Sequence, residues 1–287
     1  MSFFVRLRPL GNILLWGIVP LLMGWWLSLN LLPKPVVGII RVNMSIWSLS
    51  VDLVKAQIEE AREDRSIKAV VVQFDSGGGE VVASQALYLE LQKLREEMPV
   101  VGSIDGIAAS GAYYGAMGTD PIYAKPSSAV GNVGVWAIAP PELAVNDVIL
   151  ASGPFKLTAS NQAEFLREIE GIKQEFLTTV FSQRGERLKL SPAELSQGLA
   201  YPGREAARLG LIDYVGSQTE AIAAAAEQAG IVHYEVVDLQ ARVFDDFLAS
   251  NPFLVKSWYG EADPITGKRN LPPGIYLLYD YQLRGAP

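Results

Sequence analysis

The sequence predicts an α/β protein with a mostly parallel sheet, preceded by an apolar helix. After residue 35, short apolar runs rich in β-branched residues alternate with amphipathic helical patterns. This order favours parallel strands joined by right-handed crossovers. Before that point, no Asp, Glu, Lys, Arg or His interrupts the chain from Pro9 to Pro33.

The first element is the apolar run Ile13–Leu32. At about 1.5 Å per residue it can span the roughly 30 Å hydrocarbon core of a bilayer. Arg6 and Arg8 precede it, which favours a cytoplasmic N-terminus and export of everything after the span. No small-residue cleavage site follows, so we expect a retained signal anchor in a bacterial-type plasma membrane. A buried core helix is the alternative.

Strands and helices then alternate along the chain. Buried strands are predicted at Val36–Val42, Ile67–Phe74 and Val100–Ile104, because each run is short, apolar and rich in β-branched residues. The helical patterns Asp52–Arg65 and Val81–Glu97 separate them. Further elements are expected as strands at Ile122–Tyr123 and Val133–Ile138, and as helices at Asn161–Arg187, Gly203–Leu209, Thr219–Gln228 and Arg242–Leu248.

Three segments follow from this pattern. Residues 1–34 form an N-terminal stub and membrane anchor, and residues 35–238 form the folded domain. Residues 239–287 form a C-terminal extension, in which Ile275–Tyr281 is aromatic and strand-like. We expect this extension to be an appendage or an oligomer contact.

The composition narrows the possible chemistry. The chain has no cysteine and one histidine, which excludes disulfides, thiolate catalysis, cysteine-ligated zinc and histidine-rich metal sites. A formal net charge of −7 argues against a nucleic-acid partner. We therefore expect no metal site and no cofactor.

Ser110 is the candidate nucleophile, because it lies between small residues and directly before Gly111. His233, the one histidine, falls far along the chain in a strand-like run, so the base of such a serine would be a lysine. Free lysine titrates at a pKa of about 10.4, so a lysine base needs desolvation or neighbouring cations. Lys156 has an apolar, turn-rich context with no adjacent acid, and Lys125 is its rival.

A second glycine-rich segment complements Ser110. Backbone N–H groups commonly stabilise the tetrahedral oxyanion of acyl transfer, and Gly111 supplies one at the start of a helix. The run Gly77–Gly79 follows a predicted strand and allows close backbone approach, as a second donor loop requires. A flexible turn or a phosphate cradle is the alternative, although no Walker lysine follows.

Five ordered segments carry a family resemblance. They are Val-Val-Gln-Phe-Asp-Ser-Gly-Gly-Gly at 71–79, Ile-Ala-Ala-Ser-Gly-Ala-Tyr-Tyr at 107–114, Val-Gly-Asn-Val-Gly-Val at 130–135, Ser-Gly-Pro-Phe-Lys at 152–156, and Tyr-Pro-Gly-Arg-Glu-Ala-Ala-Arg-Leu-Gly-Leu-Ile-Asp at 201–213. Together they resemble the signal peptide peptidase A, or protease IV, family. Its members are membrane-anchored serine–lysine peptidases with a Clp-protease/crotonase-like core of repeated ββα units.

The resemblance implies a role for each matching residue. Ser110 would be the nucleophile and Lys156 the general base, with Gly111 and either Gly78 or Gly79 as oxyanion donors. Asn132 stands where the family has a serine that can orient the lysine. The implied activity is a membrane-bound serine endopeptidase that forms an acyl-enzyme and degrades hydrophobic peptides, such as remnant signal peptides. The implied assembly is a ring-like homo-oligomer, held to lipid through residues 13–32.

Three departures from the family pattern lower the peptidase activity that we expect. Gly77 replaces a proline, Asp75 replaces an asparagine, and Asn132 replaces the serine. A buried, charged Asp75 would stabilise Lys156 as a cation and oppose its role as base. We therefore expect weakened activity. A catalytically silent membrane scaffold of the same fold, or a crotonase-like acyl-CoA enzyme, is the alternative.

Overall fold

The computed structural model describes residues 14–31, 34–138, 152, 153, 156, 160–251 and 274–278. It begins with a π-helical turn over Leu14–Ile18 that continues as an α-helix over Val19–Leu31. Among these described residues, no helix is both long and apolar enough to cross a membrane. Ile13 and Leu32, the two ends of the predicted span, lie outside them, as do residues 252–273 and 279–287 of the predicted extension.

The described strands form two sheets. They are β1 (Val36–Val42), β2 (Ile67–Ser76), β3 (Gly78–Glu80), β4 (Val100–Ala109), β5 (Ile122–Ala124), β6 (Ala129–Gly131), β7 (Trp136–Ile138), β8 (Ala200–Pro202), β9 (Tyr214–Val215), β10 (Glu235–Asp238) and β11 (Gly274–Leu278). The larger sheet has the order β10-β1-β2-β4-β5-β9, and all neighbours in that path are parallel. β6 extends it by pairing in parallel with β4, and β8 pairs antiparallel with β6.

The α-helices of the described ranges are numbered in chain order. They are α1 (Val19–Leu31), α2 (Ser48–Glu63), α3 (Val81–Glu97), α4 (Gly111–Ala116), α5 (Gln162–Arg184), α6 (Pro192–Leu195), α7 (Gly203–Arg208), α8 (Gln218–Gln228) and α9 (Leu239–Ser250). α2 contacts α3 and α9, and α8 contacts β2 and β4. α9 also contacts β1, and its Leu239 is fully buried.

Alternation along the central strands gives the sheet two buried faces. Val70, Val72 and Phe74 of β2 belong to the larger hydrophobic cluster, which includes residues of α2, α3 and α4. Ala69 and Val71 belong to a second cluster with the alanines of α8. Helices on both faces explain why the central strands are continuous apolar runs, and they confirm the α/β prediction.

β4 extends five residues beyond the predicted end at Ile104. Asp105 and Gly106 interrupt the apolar pattern there, so the sequence suggests that the strand stops. It continues because Ile107 pairs with Ala129 of β6. β4 therefore pairs with β5 along its first half and with β6 along its second half, which carries its carboxyl end to Ser110.

Candidate active site

Ser110 lies on a sharp turn between β4 and α4. Its backbone has φ 55° and ψ −122°, a region that residues with a side chain rarely adopt. Its N–H donates to the Gly131 carbonyl at 2.8 Å, and its carbonyl accepts from the Tyr114 N–H at 2.9 Å. The surrounding hydrogen bonds therefore hold a strained strand-to-helix turn, a geometry typical of a nucleophilic serine.

The hydroxyl of Ser110 is buried and unpaired. Ser110 is 1% exposed, and its Oγ has no hydrogen-bond partner among the described residues. A buried hydroxyl without a partner costs free energy, and native structures contain few of them. Both the proton and the lone pairs of this oxygen are therefore available to a base and to a substrate carbonyl.

Asn132 repeats this backbone geometry on the neighbouring strand. Ala109 of β4 is opposite Gly131 of β6, so Ser110 and Asn132 follow paired positions. Asn132 has φ 53°, and within the described ranges it is the one non-glycine residue besides Ser110 with a positive φ. Its side-chain Nδ2 donates to the Gly198 carbonyl at 2.6 Å. The structure therefore brings the predicted lysine-orienting residue next to the predicted nucleophile.

The glycine run begins beside the carboxyl end of β4. Ser76 of β2 is opposite Ala108 of β4. Gly78 has φ 99°, which favours glycine, and its N–H donates to Ser76 Oγ at 3.2 Å. β3, which contains Gly78, contacts α4. The predicted donor loop is therefore adjacent to the helix that Ser110 precedes, with the Gly78 N–H already engaged by a hydroxyl.

Gly79 and Gly111 differ in what the structure requires of them. A Cβ at Gly79 would lie 1.9 Å from the Ile46 carbonyl oxygen, so backbone approach excludes any side chain there. Gly111 is the first residue of α4, and the first N–H groups of a helix have no intrahelical acceptor. Gly111 therefore presents an N–H directly after the nucleophile.

We predict that Gly79→Ala destabilises the protein by about 2 kcal/mol, because the new methyl group must displace the Ile46 backbone. Urea unfolding measures the effect. Gly171→Ala is the matched control, since nothing lies within 4 Å of its added Cβ and alanine favours a helix. Equal stability of Gly79→Ala and wild type would contradict the packing argument.

The structure does not bring Lys156 into contact with Ser110. Lys156 is exposed, and its backbone N–H donates to the Gly153 carbonyl at 3.2 Å. The rival Lys125 is half-exposed, with its Nζ 3.4 Å from the Asp105 carboxylate. Neither amine hydrogen-bonds to Ser110 Oγ, so the choice of base remains a prediction.

Asp75 lies at the surface, so it is not the buried charge that would oppose a lysine base. It is exposed, and its Oδ1 accepts from the Ile107 N–H at 3.2 Å. The same oxygen fills the space beside Gly106, where a Cβ would meet it at 2.4 Å. Asp75 therefore stabilises an irregular part of the β2–β4 ladder, and solvent screens its charge.

Two tyrosines of α4 anchor this helix to neighbouring segments. Tyr113 is fully buried, and its hydroxyl donates to the Leu211 carbonyl at 2.7 Å. Tyr114 donates to Glu175 at 3.2 Å. Burial raises the pKa of the Tyr113 phenol, and burial likewise raises the pKa of Tyr114 to about 12. Both phenols therefore stay protonated at neutral pH and act as structural donors.

Sequence patterns did not identify the ion pair that supports this region. The guanidinium of Arg184 on α5 binds both carboxylate oxygens of Asp213, at 2.8 and 2.9 Å. Arg184 is 2% exposed, and the Asp213 side chain is 9% exposed. Asp213 is the last residue of the motif at 201–213, and that motif was the one sequence signal that could have drawn attention to it. Its partner Arg184 lies 29 residues earlier in the chain.

The sequence profile of peptidase family S49 matches residues 92–232. This stretch contains Ser110, Asn132 and Lys156. The chain carries a peptidase family S49 domain. This confirms the resemblance to the signal peptide peptidase A and protease IV family.

Curated relatives of the S49 domain carry peptidase names. A putative protease of Synechocystis is 33% identical over 186 residues, which are 59% of this chain and 66% of the relative. A putative signal peptide peptidase of Enterococcus faecium is 27% identical over 180 residues, 58% of this chain and 52% of the relative. Protease 4 of Salmonella typhi is 29% identical over 227 residues, 74% of this chain and 37% of the relative. The chain spans less than two thirds of the length of these relatives.

A solved structure shares the fold of the S49 domain. It is a mutant of the 1510-N membrane-bound stomatin-specific protease in complex with a substrate peptide. The TM-score is 0.52 at 19% sequence identity, over 71% of this chain and 92% of that one. This likeness shows a mixed α/β fold with a central sheet, and the repeated ββα superhelix remains a prediction.

Proposed function

We propose that this protein is a membrane-anchored serine endopeptidase that uses Ser110 as nucleophile and Lys156 as general base. The observation that carries the proposal is the Ser110 turn, where a strained backbone presents a buried, unpaired hydroxyl. Strained residues with unsatisfied polar atoms cluster at catalytic sites. Ser110 also lies within the S49 match.

The proposed reaction forms and then hydrolyses an ester. Ser110 Oγ attacks the peptide carbonyl carbon while its proton moves to the neutral Lys156 amine. The Gly111 N–H stabilises the resulting oxyanion, and Gly78 or Gly79 is the predicted second donor. The lysine then protonates the leaving amine, and water attacks the acyl ester to regenerate the Ser110 hydroxyl.

Lys156 must approach Ser110 for this reaction to occur. The proposal therefore requires the turn that begins at Gly153 to close over the serine, because Lys156 is exposed in this structure. Asn132 supports that arrangement, since its Nδ2 donates to the Gly198 carbonyl and its Oδ1 is a hydrogen-bond acceptor. That oxygen would accept a hydrogen bond from the lysine.

The proposed substrates are hydrophobic peptides at or near the bilayer surface. The uncharged run from Pro9 to Pro33 supports a single-pass anchor with the S49 domain on the exported side of a bacterial-type plasma membrane. The name of the Enterococcus relative, a putative signal peptide peptidase, supports remnant signal peptides as one substrate class. A homo-oligomer is part of this proposal.

A second candidate is a catalytically silent scaffold of the same fold. The exposure of Lys156 favours it, because no described base hydrogen-bonds to the nucleophile. This candidate predicts a well-folded protein without serine-dependent turnover.

Lys156→Ala should lower kcat/KM at least about a hundredfold, since a general base typically contributes that much or more. Lys125→Ala should change it less than about twofold, because Lys125 pairs with Asp105. The measurement is hydrolysis of a quenched leucine- and alanine-rich peptide by detergent-purified protein across pH. Loss of turnover in Lys125→Ala alone would reassign the base, and no turnover in folded wild type would favour the scaffold.

A further inference from the structure

Three neighbouring strands of the larger sheet begin beside the end of the predicted membrane anchor. β1 begins at Val36, four residues after the predicted span ends at Leu32. β10 and β2 are its parallel neighbours on either side, with Glu235 and Ile67 opposite Val36. Parallel strands begin at the same edge of a sheet, so these three starts lie together. We call the surface formed by residues 34–36, 65–68 and 230–235 the amino edge.

Chain length keeps the amino edge close to α1. α1 ends at Leu31, and three Cα–Cα steps of about 3.8 Å place its last Cα within about 11 Å of the Lys34 Cα. The Glu235 N–H donates to the Pro35 carbonyl at 3.0 Å, and Lys34 Nζ lies 3.2 Å from the Glu235 carboxylate. The chain that leaves the anchor is therefore bonded directly to the start of β10.

Val232 lies in the loop before β10 and is 83% exposed, the highest value among the large hydrophobic residues that the structure describes. Ile231 and Tyr234, on either side of it, pack against the hydrophobic cluster that contains the alanines of α8. The Ile231 N–H also donates to the Ala226 carbonyl at 3.0 Å. These contacts hold the loop from within and leave Val232 outside. Single exposed apolar residues are common on soluble surfaces, but this one lies where the anchor leaves the folded domain.

Basic side chains share the amino edge with Val232. Arg65 and Lys68 are exposed at the start of β2, and neither forms an ion pair with a residue in the described ranges. The neighbouring acids Glu235 and Asp64 are each in an ion pair, whereas Glu63 is exposed. Anionic headgroups attract lysine and arginine near a membrane surface, and apolar side chains enter the boundary between headgroups and acyl chains. This edge therefore fits the surface of an anionic bilayer.

We propose that the loop carrying Val232 inserts into the headgroup region of an anionic bilayer, with Arg65 and Lys68 on the lipid phosphates. This second membrane contact rests on the proposed membrane anchoring. β2 runs ten residues from the amino edge to its carboxyl end, a length of about 30 Å. The contact therefore holds the Ser110 turn up to about 30 Å from the bilayer, and a hydrophobic peptide must extend out of the lipid to reach it.

The first test uses the absence of native cysteine. Val232→Cys in the full-length protein is labelled with the environment-sensitive fluorophore NBD and placed in phosphatidylglycerol nanodiscs. Lipid with a doxyl group near the headgroup should quench this label at least about twofold. Val82→Cys is the matched control and should not be quenched, because Val82 is 75% exposed and begins α3 at the opposite end of β2. Equal quenching at both positions, or none at Val232, would overturn the inference.

A label in the anchor separates this contact from the function on which it rests. Leu22→Cys, in α1, should be quenched by lipid with a doxyl group deep in the acyl chain. Quenching at Leu22 without quenching at Val232 would overturn the second contact and leave the anchor intact. Quenching at Val232 alone would support the contact and refute the anchor. A blue-shifted but unquenched label at Val232 would mean that protein covers the loop, which would also overturn the inference.

The last test removes the basic charges. With Arg65→Gln and Lys68→Gln together, quenching of the Val232→Cys label should fall at least about twofold in phosphatidylglycerol nanodiscs and stay unchanged in phosphatidylcholine nanodiscs. Lys125→Gln, which follows the carboxyl end of β5, is the control and should have no effect. Unchanged quenching in the double variant would overturn the assignment to an anionic surface. Hydrolysis of the quenched peptide by the same samples reports separately on the peptidase function.

Discussion

Ser110→Ala should abolish peptide hydrolysis, with kcat/KM falling at least about a thousandfold. The substitution removes the buried, unpaired oxygen that is proposed to form the acyl ester. The measurement is hydrolysis of the quenched peptide, with labelling by a serine-directed phosphonate as a second readout. Turnover that survives in Ser110→Ala would assign the activity to another residue or another protein.

Ser110→Gly separates this catalytic loss from a folding defect. Glycine adopts φ 55° without steric cost, whereas alanine retains the strain of the native turn. We expect both variants to be inactive, with Ser110→Gly more stable than Ser110→Ala by about 1 kcal/mol in urea unfolding. A less stable glycine variant would show that the turn is not strained.

Asp213→Asn should destabilise the protein by about 3 kcal/mol. It leaves the buried Arg184 guanidinium without its carboxylate, and a buried charge without a partner is costly. Asp213 also accepts from the Ile122 N–H at 2.8 Å, so the substitution weakens the junction between α5 and β5. Asp120→Asn is the matched control, because its ion pair with Arg187 is about half-exposed and surface pairs contribute little.

The cost of Asp213→Asn should depend on pH. Burial raises the pKa of Asp213, but hydrogen bonds and positive charge from Arg184 outweigh burial, so its pKa lies below the usual range. A lowered folded-state pKa stabilises the protein above the unfolded value of about 3.9, and this contribution is lost as pH falls through the folded value. The stability difference between wild type and variant should therefore be constant near neutrality and narrow below about pH 4. A difference that widens in acid would contradict the sign.

Local patterns predicted most of the central elements. Val36–Val42 and Val81–Glu97 have the predicted limits, because each has a clear apolar pattern bounded by polar residues, glycine or proline. The long helix predicted at Asn161–Arg187 ends as an α-helix at Arg184 and continues as a 3₁₀ turn to Arg187. The last turn of a helix is often a 3₁₀ turn, and amphipathic spacing does not distinguish it from an α-helical turn.

The candidate site was predictable only in part. Ser110 and its glycine neighbour are visible because a nucleophile on a tight turn needs small residues around it. The position of Lys156 relative to Ser110 depends on how a turn more than 40 residues away along the chain closes, so residue type alone does not decide it. Gly79 was predicted as an oxyanion donor, and its close contact with the Ile46 backbone gives a separate packing reason for glycine.

The sequence by itself determined the class of fold and predicted the class of chemistry. Alternating apolar patterns implied a parallel sheet, and the absence of cysteine together with a single histidine predicts lysine as the base of a serine nucleophile. The tertiary structure decided that Asn132 adjoins Ser110, that Arg184 pairs with Asp213, and that β11 lies between β3 and β7. These contacts join residues distant in the chain, and their register is set by packing and strand pairing, which local periodicity does not encode.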